Sequence, residues 1–224
     1  MPTTAPEHLD EISLAINEIF LSIQGESTWA GFPCVFLRTT GCPLRCRWCD
    51  TEYAFYEGRR WLLDDLVDEA CRHGVDLVEI TGGEPLAQPG TPDLAEALVR
   101  RGKTVLVETS GSFDISVLPA GAHAIMDLKC PSSGELENND LGNLDRLRPG
   151  DEVKFVIGTR EDYDWAAGMV RKHDLAGRCP VLFSPVWNEV EFEHLAQWIL
   201  ADGLPVRMQL QLHKILWPDI ERGV

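Results

Sequence analysis

Three cysteines fall within eight residues, Cys42, Cys46 and Cys49. A Cys-x3-Cys-x2-Cys spacing presents three thiolates from one loop, as a soft metal or an iron–sulfur cluster requires. A four-iron cubane held by three cysteines keeps one iron open, whereas electron-transfer ferredoxins supply a fourth cysteine. The count therefore points to an iron that binds a cofactor or substrate. Two plainer readings stand beside it. Structural zinc usually pairs Cys-x2-Cys knuckles, and no second knuckle follows; a redox pair at Cys46 and Cys49 leaves Cys42 without a task. The remaining four, Cys34, Cys71, Cys130 and Cys179, lack ligand spacing and read as small buried hydrophobes.

The elements that would carry this loop follow from the pattern of apolar residues. Residues 1–15 hold two prolines and no sustained period, so they read as a loose leader to a single domain over 16–224. A strand opens at Ile16. A second, Pro33–Arg38, runs into Gly41-Cys42, which mounts the cysteine loop on a rigid support. Leu62, Leu63, Leu66, Val67 and Ala70 mark a helix face, followed by a strand at Leu77–Ile80 and the turn Thr81-Gly-Gly-Glu-Pro85. Further helices are expected near Pro92–Arg101, Glu161–His173 and Glu189–Ala201. Further strands are expected at Thr104–Val107, Ala122–Met126, Val153–Ile157, Pro180–Phe183 and Val206–Leu210. Strands alternating with helices signal βαβ units and a parallel sheet. Full eight-fold barrels take about 250 residues, so 224 residues suit an α/β fold of the partial, incomplete β/α barrel kind. Its active site belongs at the C-terminal ends of the strands, where the motifs are expected to gather.

Composition bounds the partners. A formal net charge of −16 disfavours a nucleic-acid partner, which needs basic surface to displace phosphate counterions. A small-molecule substrate fits better. No stretch approaches the roughly 20 apolar residues that span a bilayer, and the first residues lack a basic-then-apolar signal, so a cytoplasmic chain with reduced thiols is expected. Arg45 and Arg47 form a basic spot beside the cysteines. It is either a dock for an acidic electron donor such as flavodoxin or ferredoxin, or a solvated surface pair.

With an aromatic Trp48 before the last cysteine and Thr81-Gly-Gly-Glu-Pro85 after a strand, the chain resembles the radical S-adenosylmethionine (SAM) superfamily. Gln24-Gly25-Glu26, Arg38, Cys49-Asp50-Thr51 and Leu212-His213-Lys214 narrow the resemblance to the 7-carboxy-7-deazaguanine synthase family of queuosine biosynthesis, over residues 16–224. The resemblance implies a 4Fe-4S cluster, SAM and Mg2+, and members that are often homodimers. It also implies a lyase activity, the radical ring contraction of 6-carboxy-5,6,7,8-tetrahydropterin with loss of ammonia.

By the same resemblance, Trp48, Gly83, Glu84, Glu108, Ser110, Asp127, Lys129 and Ser184 are expected around SAM. Gln24, Glu26, Arg38, Thr81 and His213 are expected around the pterin, and Thr51 on magnesium. The residue types suit this. A carboxylate such as Glu26 accepts paired donors from a pterin edge, a guanidinium such as Arg38 meets a carboxylate through two parallel bonds, and a hydroxyl oxygen suits a hard cation. The plain readings are a solvated turn for Gln24 and Glu26, a surface ion pair for Arg38, a helix-capping hydroxyl for Thr51, and surface residues on a terminal strand for His213 and Lys214. Some family members carry Ser-Pro-Lys where this chain has Asp127-Leu128-Lys129, which singles out Asp127 as a departure. Two other functions remain open: a glycyl-radical activating enzyme, which shares the cysteine motif, and a zinc- or cluster-binding interaction module.

Overall fold

The structure is a computed structural model that describes residues 12–224; the expected leader lies mostly outside them. Nine strands form one sheet in the order β3-β1-β2-β4-β5-β6-β7-β8-β9. They are β1 (Ser13–Ile23), β2 (Pro33–Thr39), β3 (Arg59–Leu62), β4 (Leu77–Gly82), β5 (Thr104–Thr109), β6 (Ala122–Leu128), β7 (Glu152–Ile157), β8 (Val181–Pro185) and β9 (Arg207–Met208). From β2 to β9 every neighbour is parallel, while β1 runs antiparallel to both β2 and β3. Helices α1 (Leu63–Arg72), α2 (Thr91–Arg100), α4 (Arg160–Lys172) and α5 (Phe192–Asp202) connect the strands, with short α3 (Asn143–Arg146) and α6 (Leu212–Leu216). β3 and β9 remain edges, so the sheet curls into an incomplete barrel and does not close on itself.

Side-chain alternation splits the strands into two faces. One face carries Val35, Leu37, Val78, Ile80, Val105, Val107, Met126, Val153, Phe155 and Phe183, and packs against Leu66, Ala70, Leu94, Leu98, Ala166 and Leu195 of the helices. The other face has two layers. Cys34, Phe36, Leu77, Leu106 and Ile125 form an apolar floor with Phe20 and Trp29. Two residues further along the same strands stand Arg38, Glu79, Glu108 and Asp127, joined by Lys154, which pairs with Asp127 in register. A strand parity that is apolar at one end and charged at the other builds a polar pocket on an oily base.

The unclosed side is filled by loop 24–32 between β1 and β2, lying against residues 209–213. Leu212 N donates to Gly25 O at 3.0 Å, and Ser27 N donates to Gln209 Oε1 at 2.9 Å. Thr28 is anchored at the base of the sheet: its N–H donates to Glu152 Oε2 at 3.0 Å and its hydroxyl to Oε1.

Several expectations are corrected. The first strand opens at Ser13, inside the expected leader, because β3 pairs with Ser13–Ile16 and extends it. α5 starts at Phe192 and not near Glu189, because Asn188 takes a positive φ and residues 186–190 form a turn. The last strand is only Arg207–Met208; after Gln209 N reaches Phe183 O at 3.0 Å the chain leaves the edge, and His213 and Lys214 fall on helix α6 instead of a strand. Nor do all motifs sit at the C-terminal ends of the parallel strands. Gln24 and Glu26 enter from the loop that precedes β2, since β1 is antiparallel.

Candidate active site

The cysteine loop leaves the end of β2 and packs on the Gly82-Gly83 turn at the end of β4. Glu84 N donates to Gly41 O at 2.8 Å and Gly83 N to Thr39 O at 3.3 Å. A Cβ on Gly83 would fall 2.8 Å from Cys42 Cβ, and one on Gly82 would fall 2.6 Å from Thr39 N. Gly82 is therefore required by the end of β2, and Gly83 by the backbone at the start of the cysteine loop.

Glu84 fixes this turn to the next strand. Its side chain is fully buried, with Oε1 accepting from Leu86 N and Thr109 Oγ1 at 2.9 Å each, and Oε2 accepting from Ser110 N at 2.6 Å and Ser110 Oγ at 2.5 Å. Four donors on one carboxylate leave no free lone pair. Any contact of Glu84 with a small molecule falls to its backbone.

The three loop thiols are half-buried and free, and the other cysteines lie elsewhere, three buried and Cys71 partly so. Burial raises each loop thiol above its ordinary value, neighbouring thiols add to this, and the Lys129 ammonium opposes it. A nearby ammonium favours thiolate, the form that ligates metal. A cubane takes each thiolate on a different iron, and three soft thiol donors from one loop fit such a cluster.

Beside the loop lies Lys129, 2.8 Å from Asp127 Oδ2. Burial disfavours its charge, and Asp127 with Cys46 restores it. Asp127 Oδ1 is buried without a hydrogen-bond partner, an acceptor available to a ligand. Ser184 is buried at the end of β8, and Trp48 lies under the Arg47 guanidinium at 5.0 Å. Arg47 itself forms a bidentate pair with Glu189, and Arg45 stacks on Phe55, so the basic spot is partly neutralised.

Deeper in the pocket, Lys154 is 5% exposed and bonds two carboxylates, Glu26 Oε2 at 2.9 Å and Glu108 Oε1. Glu26 also accepts from Gln209 and Gln211 at 3.1 Å, and Glu108 from Thr81 Oγ1 at 3.2 Å. Burial raises the Glu108 carboxyl, but Lys154, Lys129 and Thr81 more than reverse this and hold it below its ordinary value. Glu79 goes the other way: burial, then Glu108 and Glu26, push it well above its ordinary value, which favours the protonated form. Gln24 donates to Glu79 and accepts from Glu26 N at 2.9 Å, which fixes the amide.

At the rim, Arg38 Nε donates to Glu18 at 2.7 Å while the guanidinium lies over Phe20 and Tyr53. Asp50 meets Lys214 at 2.7 Å and accepts from Thr51 Oγ1 at 2.9 Å. Crowding raises the Asp50 carboxyl, and Lys214, Thr51 and His213 together bring it far below its usual value. His213 packs on Gly25; burial lowers its pKa against the pull of Glu26 and Asp50, which leaves the imidazole neutral near pH 7.

The pocket thus gathers Gln24, Glu26, Thr81, Glu108 and His213 around Lys154, with Arg38, Asp50, Thr51 and Lys214 at its rim. Lys154, Glu79, Glu18, Gln209 and Gln211 had not been picked out from the sequence. Glu79 and Lys154 do leave a trace there, a charge flanked by apolar residues within a strand.

An incomplete barrel with three cluster-type thiols at its mouth defines a radical SAM protein, and the model of the radical SAM superfamily matches residues 36–128. The chain is 44% identical to the 7-carboxy-7-deazaguanine synthase of Chlorobaculum tepidum, covering 96% of this chain and 99% of that protein. It is 42% identical to that of Koribacter versatilis, covering 94% and 100%. The crystal structure of QueE from Escherichia coli shares the fold with a TM-score of 0.75 over 90% of this chain and 95% of that one, at 22% identity. The chain belongs to the 7-carboxy-7-deazaguanine synthase family. Radical SAM membership implies a 4Fe-4S cluster and SAM.

Proposed function

We propose that this chain converts 6-carboxy-5,6,7,8-tetrahydropterin to 7-carboxy-7-deazaguanine with loss of ammonia, as a radical SAM carbon–nitrogen lyase of queuosine biosynthesis. The observation that carries this is the polar cluster beside an apolar floor in which Lys154 links Glu26 to Glu108, Gln24 bonds Glu26 N, Thr81 bonds Glu108 and His213 packs on Gly25. Its donors and acceptors suit a flat heterocycle bearing a carboxylate.

Cys42, Cys46 and Cys49 would hold the cluster. Gly83 and Glu84 (through backbone), Trp48, Glu108, Ser110, Asp127, Lys129 and Ser184 would hold SAM. When bound, this pair would supply the radical hydrogen-transfer chemistry needed at C6 of the pterin. The chain's own residues do the rest. Glu26 accepts from the donor edge of the ring, and Gln24, its amide set by Glu79, bonds alongside. Arg38, with one nitrogen committed to Glu18, turns the others to the substrate carboxylate. Neutral His213 adds a hydrogen bond without adding charge. Thr51 beside Asp50 would take Mg2+, whose remaining positions go to water and substrate oxygens.

We further infer a cytoplasmic homodimer reduced by flavodoxin or ferredoxin docking near Arg45. A glycyl-radical activating enzyme is not favoured, because it has no use for Gln24, Glu26 and His213. Anaerobic reconstitution tests the reading: about four irons per chain, SAM cleavage on reduction and rising deazapurine absorbance with the carboxylated tetrahydropterin are expected. SAM cleavage with that pterin left untouched would refute the substrate.

A further inference from the structure

Lys154 bonds one acid from each half of the pocket, and neither role set assigned above includes it. Its ammonium contacts Glu108, on the SAM side, and sits 2.9 Å from Glu26, on the pterin side, with the side chain 5% exposed. These carboxylates come from a hairpin loop and from β5, so the backbone does not hold them together. Without a cation between them, two ionised carboxylates would repel and turn apart in a low-dielectric site. The three donors of one ammonium suit this bridging task. Gln209 and Gln211 help to orient Glu26, and Thr81 helps Glu108, but each of these reaches only one of the two acids.

We propose that Lys154 is a positioning residue that holds Glu26 and Glu108 side by side, so that pterin and SAM are bound in mutual register through one buried ammonium. The role rests on the proposed pterin reaction. It makes a prediction that a merely structural lysine does not: loss of Lys154 weakens both ligands, whereas loss of either acid weakens one.

The experiment compares Lys154→Met, Glu26→Gln and Glu108→Gln as reconstituted enzymes. Iron content, KM for pterin, KM for SAM and the ratio of 5′-deoxyadenosine released to deazapurine formed are measured for each. Lys154→Met is expected to retain iron, raise both KM values, lower kcat/KM for pterin about 100-fold and release unproductive 5′-deoxyadenosine. Glu26→Gln should raise only the pterin KM, and Glu108→Gln only the SAM KM. Added to Glu26→Gln, Lys154→Met should cause little further loss of pterin binding. If Lys154→Met fails to fold, Lys154→Met/Glu108→Gln removes one charge of each sign and must still show the raised pterin KM. Unchanged KM values in these variants, or losses that simply add, overturn the role. Wild-type enzyme that cleaves SAM but ignores the pterin overturns the proposed reaction and this role together; wild-type turnover with unaffected Lys154 variants overturns the role alone.

Discussion

Replacing Glu84 by glutamine changes one atom and should cost far more than its size suggests. The carboxylate is fully buried and accepts from two backbone N–H groups, Leu86 at Oε1 and Ser110 at Oε2, as well as from two hydroxyls. An amide has one acceptor oxygen. Whichever way it is placed, its NH2 faces a backbone N–H that has no other acceptor at hand, while the hydroxyls can rotate. The loss of a charge-assisted bond costs about 1.5–3 kcal/mol and a stranded buried N–H about 1–3 kcal/mol, so roughly 3–5 kcal/mol in all. For a chain of this size that lowers Tm by roughly 10 °C, since each kcal/mol shifts it by about 2–4 °C. Thermal melts of the reconstituted protein, followed by circular dichroism, measure it. Because Glu84 clamps the Gly82-Gly83 turn to β5, the SAM KM should rise while iron content is kept. A Tm within about 2 °C of wild type, well below the expected shift, would refute the view that this carboxylate is saturated by protein donors.

Gly25→Ala puts a Cβ 3.0 Å from His213 N and inside contact distance of its ring, so α6 must shift; a cost of about 1–3 kcal/mol and a weaker pterin KM are expected from denaturation and steady-state kinetics. His213 has a lowered pKa in the fold, so below its ordinary 6.5 the unfolded chain takes up a proton that the folded chain resists. Stability should therefore fall as pH drops below that value, and urea midpoints should show a shallower fall in His213→Gln; parallel curves would contradict the assignment. Cys42→Ser, Cys46→Ser and Cys49→Ser should each lose bound iron, measured by ferrozine assay, whereas Cys71→Ser on α1 should keep about four per chain.

The cysteine loop, the glycine turn and the βαβ rhythm were legible in the sequence because each is specified by near neighbours. Three candidate ligands of one cluster lie within eight residues, and a helix face or strand parity shows in a short window. Glu26 and His213 could be singled out only by resemblance. Their surroundings could not be seen at all: Lys154 meets Glu108 across 46 positions, and Gln209 meets Glu26 across 183. Spacing carries no information about such pairs.

Sequence alone thus determined the chemistry at the mouth of the barrel and the layering of its sheet. Only the tertiary structure decided how the pocket is closed and charged. The sheet stops at β9, and loop 24–32 bonds to residues 209–213, which brings Gln24, Glu26 and His213 together from opposite ends of the sequence. It also decided which way each acid is shifted. Glu79 and Glu108 are the same residue type two strand positions from the same floor, yet burial and neighbouring acids raise the first above its ordinary value while Lys154, Lys129 and Thr81 hold the second below it.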